Sequence, residues 1–267
     1  MAPELSIVIP AYNEAARLGG TIHAVLGYLN EHLPGAELII VDDGSHDDTA
    51  VVARRSFGNT GSVTTSVIRI DPNRGKGHAV RSGLLAARGR IALFSDADLS
   101  TPITEAPKLV GPIQRGECDL TFGSRALDRN LIGVHQPWQR EQGGRVFNLI
   151  VRAATGLPYW DTQCGFKAFR MEVCRPIIEA ARVDRFAFDV ELLYVARLAG
   201  LRLQEVPVRW DHDEGSKIDL ASDSFKMVSQ VLSIRQRARN GQYDAAIRAT
   251  SGFAKTPTEG RYITEEN

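Results

Sequence analysis

Across its 267 residues the chain has no apolar run close to the length of a membrane-crossing helix, which needs roughly 20 such residues. Cysteine is scarce. Cys118, Cys164 and Cys174 are an odd set with neither CxxC nor zinc-like spacing, so reduced thiols are expected in place of disulfides or structural zinc. Neither sign of charge is in excess, because 32 Lys and Arg balance 32 Asp and Glu. A neutral chain lacks the global attraction that draws a protein to nucleic acid, and only local basic patches remain open. The opening "MAPELSIVIP" has no basic leader and no long apolar core, so no signal peptide is expected. The expected setting is cytoplasmic, at most resting on the cytoplasmic face of a membrane. Two phosphate-binding signatures are missing as well. "GKGHAV" has Val80 where the last glycine of GxGxxG belongs, and no GxxxxGK[ST] occurs.

What the chain does have is alternation. "LSIVIP", "AELIIVDDGS", "SVTTSVIRI" and "RIALFSDADLS" read as apolar or β-branched strands, and segments with helical spacing separate them, such as Leu18, Ile22, Val25 and Leu29. Strands that are apolar throughout belong in a mostly parallel sheet covered by helices on both faces, so the fold class is α/β. Ligands of such sheets bind beyond the carboxyl ends of the strands. The clusters "PAYNE", "DDGS", "NRGKG" and "SDADLS" all fall at those ends and should share one crevice. In the second half, "CDLTFGSR" reads as a strand and residues 139 to 155 as a helix. "DTQCGFKAFR" reads as a short strand or loop, "DVELLYVARLAG" as a helix and "RLQEVPVRW" as a strand. Leu220 to Arg239 form another helix, and the polar residues 241–267 are expected to be a mobile tail after a single domain over 1–240.

Asp96 and Asp98 form a DxD at a strand tip. Alternate residues of an extended segment face one side, so both carboxylates can meet one cation while Ala97 turns away. Carboxylate and phosphate oxygens together suit Mg²⁺ or Mn²⁺. The plainer reading is two capping aspartates. Asp42 and Asp43 can accept from a base or a ribose, or can cap the next helix with Asp47 and Asp48. Lys76, between two glycines, sits where backbone can approach a ligand, or is a surface lysine in a turn.

Together "IVIPAYNEAARL", "VDDGSHDDT", "NRGKGHAVRSG" and "SDADLSTP", in this order, resemble family 2 glycosyltransferases of the GT-A fold. "FGSR", "DTQCGFKAF", "FDVELL" and "VPVRWDHDEGSKI" resemble the polyprenyl-phosphate sugar synthases, and among these the dolichyl-phosphate β-glucosyltransferases. The resemblance covers roughly residues 4 to 235 and implies a donor half over 1–100 and an acceptor half over 101–240. It implies that Pro10, Tyr12, Glu14, Asp42 and Asp43 surround the nucleoside, with Lys76 and Ala97 also on the donor. It further implies that Asp96 and Asp98 hold the metal and diphosphate, and that Ser216 and Lys217 lie on a loop closing over them. Arg125, Arg140 and Arg145 would grip the acceptor phosphate. Gly144 stands where mannose-transferring relatives often have serine, which argues against mannose.

The arginines support that implication independently. Residues 125 to 152 contain Arg125, Arg129, Arg140, Arg145 and Arg152 against only Asp128 and Glu141. Guanidinium forks match phosphate oxygens bidentately, although a solvated helix face would have the same composition. Asp161 could orient the site or act as a base for a hydroxyl acceptor, and Asp189 and Glu191 suit either a helix N-terminus or catalysis. The expected reaction is inverting, metal-dependent transfer of glucose from UDP-glucose to polyprenyl or dolichyl phosphate. The alternatives are transfer to a hydroxyl of a cell-surface glycan or small metabolite, or a silent nucleotide-sugar-binding protein. Phe225, Val228, Val231 and Leu232 give the helix 220–239 an apolar side that fits either a membrane-surface anchor or a core contact.

Overall fold

A computed structural model describes residues 2–58, 60–134, 138–211 and 220–252, without the side chains of 138–141 and 220–226. Ser216 and Lys217 therefore lie outside the described residues, as does the Arg140 side chain. The first strand, β1 (Leu5–Ala11), is buried along its whole length. Its alternate residues serve opposite layers, with Ile7, Ile9 and Ala11 on one side and Val8 on the other. The chain continues through α1 (Ala15–His32), β2 (Glu37–Asp42), α2 (Thr49–Ser56), β3 (Thr64–Arg69), α3 (Lys76–Ala86), β4 (Ile91–Ser95) and α4 (Ala106–Gln114). The second half comprises β5 (Leu120–Ser124), β6 (Ile132–Val134), α5 (Trp138–Thr155), β7 (Phe166–Arg170), α6 (Met171–Ala180), α7 (Phe188–Leu198), β8 (Leu203–Pro207), β9 (Trp210–Asp211), α8 (Leu220–Arg239) and α9 (Asp244–Ser251).

Seven strands make one sheet in the order β3-β2-β1-β4-β7-β5-β8, parallel except for β7, which runs antiparallel to both neighbours. β6 and β9 pair separately. Helices α1, α2 and α4 pack on one face, whereas α3 and α5 to α9 cover the other. The mixed, helix-flanked sheet is the expected α/β class. Both halves contribute to one sheet, so the tips of β4 and β5 stand on either side of β7.

The sequence pattern missed α4 and α6. Each has an internal proline, Pro112 and Pro176, which masks helical periodicity. The expectation of a mobile tail from 241 is corrected. Residues 244–251 form α9, docked on α6 and α7, with Tyr243 and Thr250 fully buried. The remainder of that tail lies outside the described residues. For α8 the core contact prevails, since Val231 and Ile234 are fully buried and Met227 and Val228 pack against the same cluster. Among the described residues no helix is long and apolar enough to cross a membrane, and all three cysteines are free and buried.

Candidate active site

The site begins where β1 and β2 end. Asp42 Oδ1 accepts from the Ser45 backbone N–H at 3.0 Å, and its other oxygen lies 3.4 Å from the Arg69 guanidinium. Asp43 accepts from Arg74 N at 3.0 Å, Gly75 N at 2.7 Å and Asn73 Nδ2 at 2.8 Å. Its carboxylate thus fixes the "NRG" turn that leads into α3. Gly44 makes this possible, because a Cβ there would meet Asn73 N at 2.6 Å and its φ is +70°. Asp47 accepts from Thr49 N and Ala15 N, which ties the start of α2 to the start of α1. The cap role for Asp47 therefore holds, while Asp48 makes no side-chain cap bond. Pro10 is buried in β1, Glu14 pairs with Arg17, and Tyr12 stands half-exposed, edge-on to His46.

β4 stops at Ser95, and Asp96 to Leu99 form a turn closed by Leu99 N–H donating to the Asp96 carbonyl at 3.2 Å. The two carboxylates are thus brought together by a turn, not by the extended alternation expected from the sequence. Thr21 Oγ1 anchors the turn to α1 through the Ala97 carbonyl at 2.6 Å, and Asp98 Oδ1 accepts from Ser100 N at 2.9 Å. Lys76 at the first turn of α3 reaches Asp96 Oδ1 at 2.6 Å. Burial opposes the Lys76 charge, but Asp96 and then Asp189 outweigh it and hold the ammonium above its usual value. Burial and the Asp96 charge push the Asp98 carboxyl up. Gly165 lies so close to the Asp96 carboxylate that any side chain there would collide with it.

Across β7, the tip of β5 supplies Arg125. Its Nε and Nη2 donate to Asp161 at 2.7 and 2.9 Å, and its backbone N–H donates to the same carboxylate at 3.0 Å. Burial would raise the Asp161 pKa, but Arg125 outweighs it and holds the carboxyl below its usual value. A carboxylate so committed is a weak base. Glu205 on β8 secures the turn before it, accepting from Ser124 Oγ at 2.7 Å, Asp161 N at 2.8 Å and Trp160 N at 3.0 Å. Beside this pair opens a cavity of about 550 Å³ whose lining includes Arg125, Arg129, Arg145, Arg152, Leu149, Trp160 and Trp210. Arg152 lies over the Trp160 ring at 4.1 Å, and Arg125 is 5.5 Å from the Trp210 ring. Gly144 also lines the cavity.

Asp189 and Glu191 occupy different places. Asp189 pairs with the fully buried Lys167 at 2.6 Å, and Lys167 Nζ also donates to the Cys164 carbonyl at 2.5 Å. Burial pushes the Asp189 carboxyl up. Glu191 faces the helical layer, accepting from Arg182 N, Val183 N and the Tyr243 hydroxyl, and takes no part in the cleft. Sequence reasoning did not anticipate Lys167, Glu205 or the two cavity tryptophans. For the tryptophans there was a signal, since the chain has only three and two line this cavity.

The cleft therefore has a turn with two carboxylates and a lysine at the tip of β4, and an arginine-rich cavity at the tip of β5. The model for Glycosyl transferase family 2 matches residues 6–177. The chain belongs to that family. It is 35% identical over 255 residues to human dolichyl-phosphate β-glucosyltransferase, covering 90% of this chain and 77% of the relative. The Drosophila melanogaster enzyme of the same name is 38% identical over 226 residues, covering 80% and 69%. In fold, the chain is similar to glucosyl-3-phosphoglycerate synthase from Mycobacterium tuberculosis crystallised with Mn²⁺, UDP and glucosyl-3-phosphoglycerate. That similarity has a TM-score of 0.60 at 22% identity, over 90% of this chain and 80% of that one. This family 2 member is thus a glycosyltransferase with the GT-A fold.

Proposed function

We propose that the protein transfers glucose from UDP-glucose to the phosphate of a polyprenyl or dolichyl lipid, with inversion at the anomeric carbon and with Mg²⁺ or Mn²⁺ as cofactor. The observation that carries the proposal is the cavity beside Arg125, in which arginines stand among Leu149, Trp160 and Trp210. Such a lining suits an anionic head on an apolar chain, because guanidinium forks grip phosphate and indole and aliphatic walls accept methylenes. Neighbouring strands lie about 4.8 Å apart, so the tips of β4 and β5, separated by β7, stand on the order of 10 Å from one another. A hexose fits between a diphosphate at one and a phosphate at the other. Four relatives at 33–38% identity are named dolichyl-phosphate β-glucosyltransferases, which supports the same acceptor and sugar.

The donor set fits a hard divalent cation. Among the described residues no group of three or more His, Cys, Asp or Glu could hold a metal, so Asp96 and Asp98 would be joined by phosphate oxygens and water. Asp96 Oδ1 already holds one cation, the Lys76 ammonium. When bound, the metal would neutralise charge on the departing diphosphate.

The rest of the chemistry falls to the chain's own residues. Asp43 holds the turn that presents Lys76, which adds positive charge on the donor side. Asp161, held ionised, keeps the Arg125 fork in one orientation toward the acceptor. The acceptor phosphate oxygen attacks the anomeric carbon, the bond to the UDP oxygen breaks, and its electron pair leaves with UDP. The nucleophile is already anionic near neutral pH, so no strong base is required. What the site supplies is alignment of two mutually repelling anions. A hydroxyl acceptor would need a base, for which Asp189 is the raised carboxyl beneath the cleft.

Radiolabelled nucleotide sugars offered with and without polyprenyl phosphate test the proposal. Label from UDP-glucose should pass to lipid only when the phosphate is present. Transfer to a hydroxyl acceptor with none to lipid phosphate would overturn it.

A further inference from the structure

A short bridge of chain, residues 161–165, joins the two sides of the cleft. At one end Asp161 is locked to Arg125 at the tip of β5. At the other end the Gly165 carbonyl accepts from Asp96 N at 3.1 Å, at the tip of β4. The bridge leads into β7, the strand that separates those two tips. Its course is pinned at two further points, because Lys167 Nζ holds the Cys164 carbonyl at 2.5 Å and Gln163 N donates to Asp161 Oδ1 at 3.3 Å.

Three of the four side chains along the bridge are already committed. Asp161 is held by Arg125, the Thr162 hydroxyl donates to Asn148 Oδ1 at 3.1 Å, and the Cys164 thiol lies 3.9 Å from Thr101 Oγ1. All three are buried, whereas Gln163 is half-buried. Gln163 lines the arginine-rich cavity, and its side-chain amide makes no hydrogen bond among the described residues. It stands midway along the bridge, two residues from Asp161 and two from Gly165.

A primary amide at this place has a definite chemistry. It donates through nitrogen and accepts through oxygen, so it can meet a hydroxyl in either role. It also adds no charge to a gap flanked by two anions, the donor diphosphate and the acceptor phosphate, where a carboxylate would repel both. The group that must occupy that gap carries hydroxyls and no charge, and it is the sugar. We propose that Gln163 is a specificity-determining residue whose amide hydrogen-bonds a hydroxyl of the transferred hexose. The inference rests on the glucosyl transfer proposed above and adds to it how the sugar is selected. A site that hydrogen-bonds a hydroxyl rejects the analogue lacking it, because the protein group is then left unpaired.

The test is a cycle that changes substrate and enzyme in turn. kcat/KM is measured with UDP-glucose and with the four deoxy analogues that each lack one sugar hydroxyl. The enzymes are the wild type and Gln163→Met, which keeps the length of the side chain and removes its hydrogen bonds. The wild type should lose about ten-fold or more on the analogue that lacks the contacted hydroxyl. Gln163→Met should lose a similar factor on UDP-glucose and nothing further on that analogue, while its penalties on the other three match those of the wild type. Gln163→Glu should be slower still on every donor, since it places a third anion in the gap. UDP affinity by calorimetry, KM for lipid phosphate and the far-UV CD spectrum should stay near wild type in Gln163→Met. Four deoxy penalties unchanged by Gln163→Met would overturn the inference. So would a fall in UDP affinity, or a rise in KM for lipid phosphate, that accounts for the whole loss. A wild type that uses another nucleotide sugar and not UDP-glucose would instead overturn the donor reading, and the deoxy forms of that sugar would then decide the role of Gln163.

Discussion

On the donor side, carboxylates are spent largely on backbone N–H groups. Asp47 accepts from Thr49 N and Asp98 from Ser100 N, each two residues on, and Asp43 organises a single turn, residues 73 to 75. On the acceptor side the working contacts are between side chains far apart in sequence. Arg125 meets Asp161 36 residues away, and Ser124 meets Glu205 81 residues away. Backbone-held turns give a stiff socket, which suits the nucleotide of the proposed donor. Side-chain pairs and apolar walls give an adaptable cavity, which suits the lipid phosphate proposed as acceptor.

If the donor side is a fixed socket for diphosphate and metal, its carboxylates should be the most sensitive positions in the protein. Asp98→Asn removes a charge without removing bulk. Several kcal/mol of leaving-group stabilisation corresponds to a loss on the order of a thousand-fold in kcat. Thermal stability should stay near that of the wild type, because Asp98 is a partly exposed turn residue. EDTA should abolish wild-type turnover to a similar extent, as single-turnover kinetics with labelled UDP-glucose would show. Full turnover in EDTA would remove the metal from the donor side.

The acceptor side should respond differently, losing stability as well as activity. Arg125→Ala strands Asp161, which is only 6% exposed, and breaking such a pair costs about 3 kcal/mol. Urea denaturation should register that loss. Arg125→Ala with Asp161→Asn should recover part of it, since the second change removes the stranded charge. UDP binding by calorimetry should be nearly unchanged in both, while use of lipid phosphate falls. Weakened UDP binding with normal use of acceptor would reverse the division between the two sides.

This difference also explains what could be read in the chain. β1, β2 and β4 were legible because they are buried on both faces and apolar throughout, and the turns after them were legible because their aspartates cap within a few residues. β7 was legible only as a short strand or loop, since nothing local in "GFKAFR" announces an antiparallel place between β4 and β5, and Lys167 reads as a solvent residue until Asp189 is seen beside it. Arg125 could be singled out from its strand tip, but the lock by Asp161 and the support from Glu205 depend on tertiary contacts. Glu191 is a similar case. With Asp189 it suited either a helix N-terminus or catalysis, yet one helical turn is 3.6 residues, so residues two apart diverge by about 200° and face different layers.

Glu191 offers a smaller effect that links the two sides. Its carboxylate joins α9, through Tyr243, to the backbone of Arg182 and Val183. That same loop backs the donor-side lysine turn, with His78 N donating to the Asp184 carbonyl at 3.1 Å. Glu191→Gln leaves a buried amide facing backbone donors and should cost about 2 kcal/mol in urea denaturation. UDP affinity should weaken by a few-fold as the lysine turn loosens, a magnitude on the order of 1 kcal/mol. An unchanged UDP affinity in a destabilised variant would show that the helical cap holds the fold but not the donor turn.

The smallest effect is invisible at neutral pH and appears on acidification, where the two sides should separate. In the ligand-free protein, burial and the Asp96 charge raise the Asp98 carboxyl, so its protonated form is favoured by the fold. Its contribution to stability is present below the unfolded value and disappears as pH rises through the folded one. Asp161 has the opposite sign. Arg125 overcomes burial and depresses its pKa, so its contribution is present above the ordinary carboxylate range and is lost as pH falls through the lower folded value. On lowering the pH, Asp98 should therefore take up a proton before Asp161 does. Metal-dependent UDP binding, followed by calorimetry, should decline while far-UV CD still reports a folded protein. Unfolding should follow only below the ordinary carboxylate range, and Asp161→Asn should remove part of that acid sensitivity without altering the pH at which UDP binding declines. Coincident loss of binding and fold would mean that a single set of carboxylates governs both, and the contrast between a donor socket and an acceptor lock would not survive it.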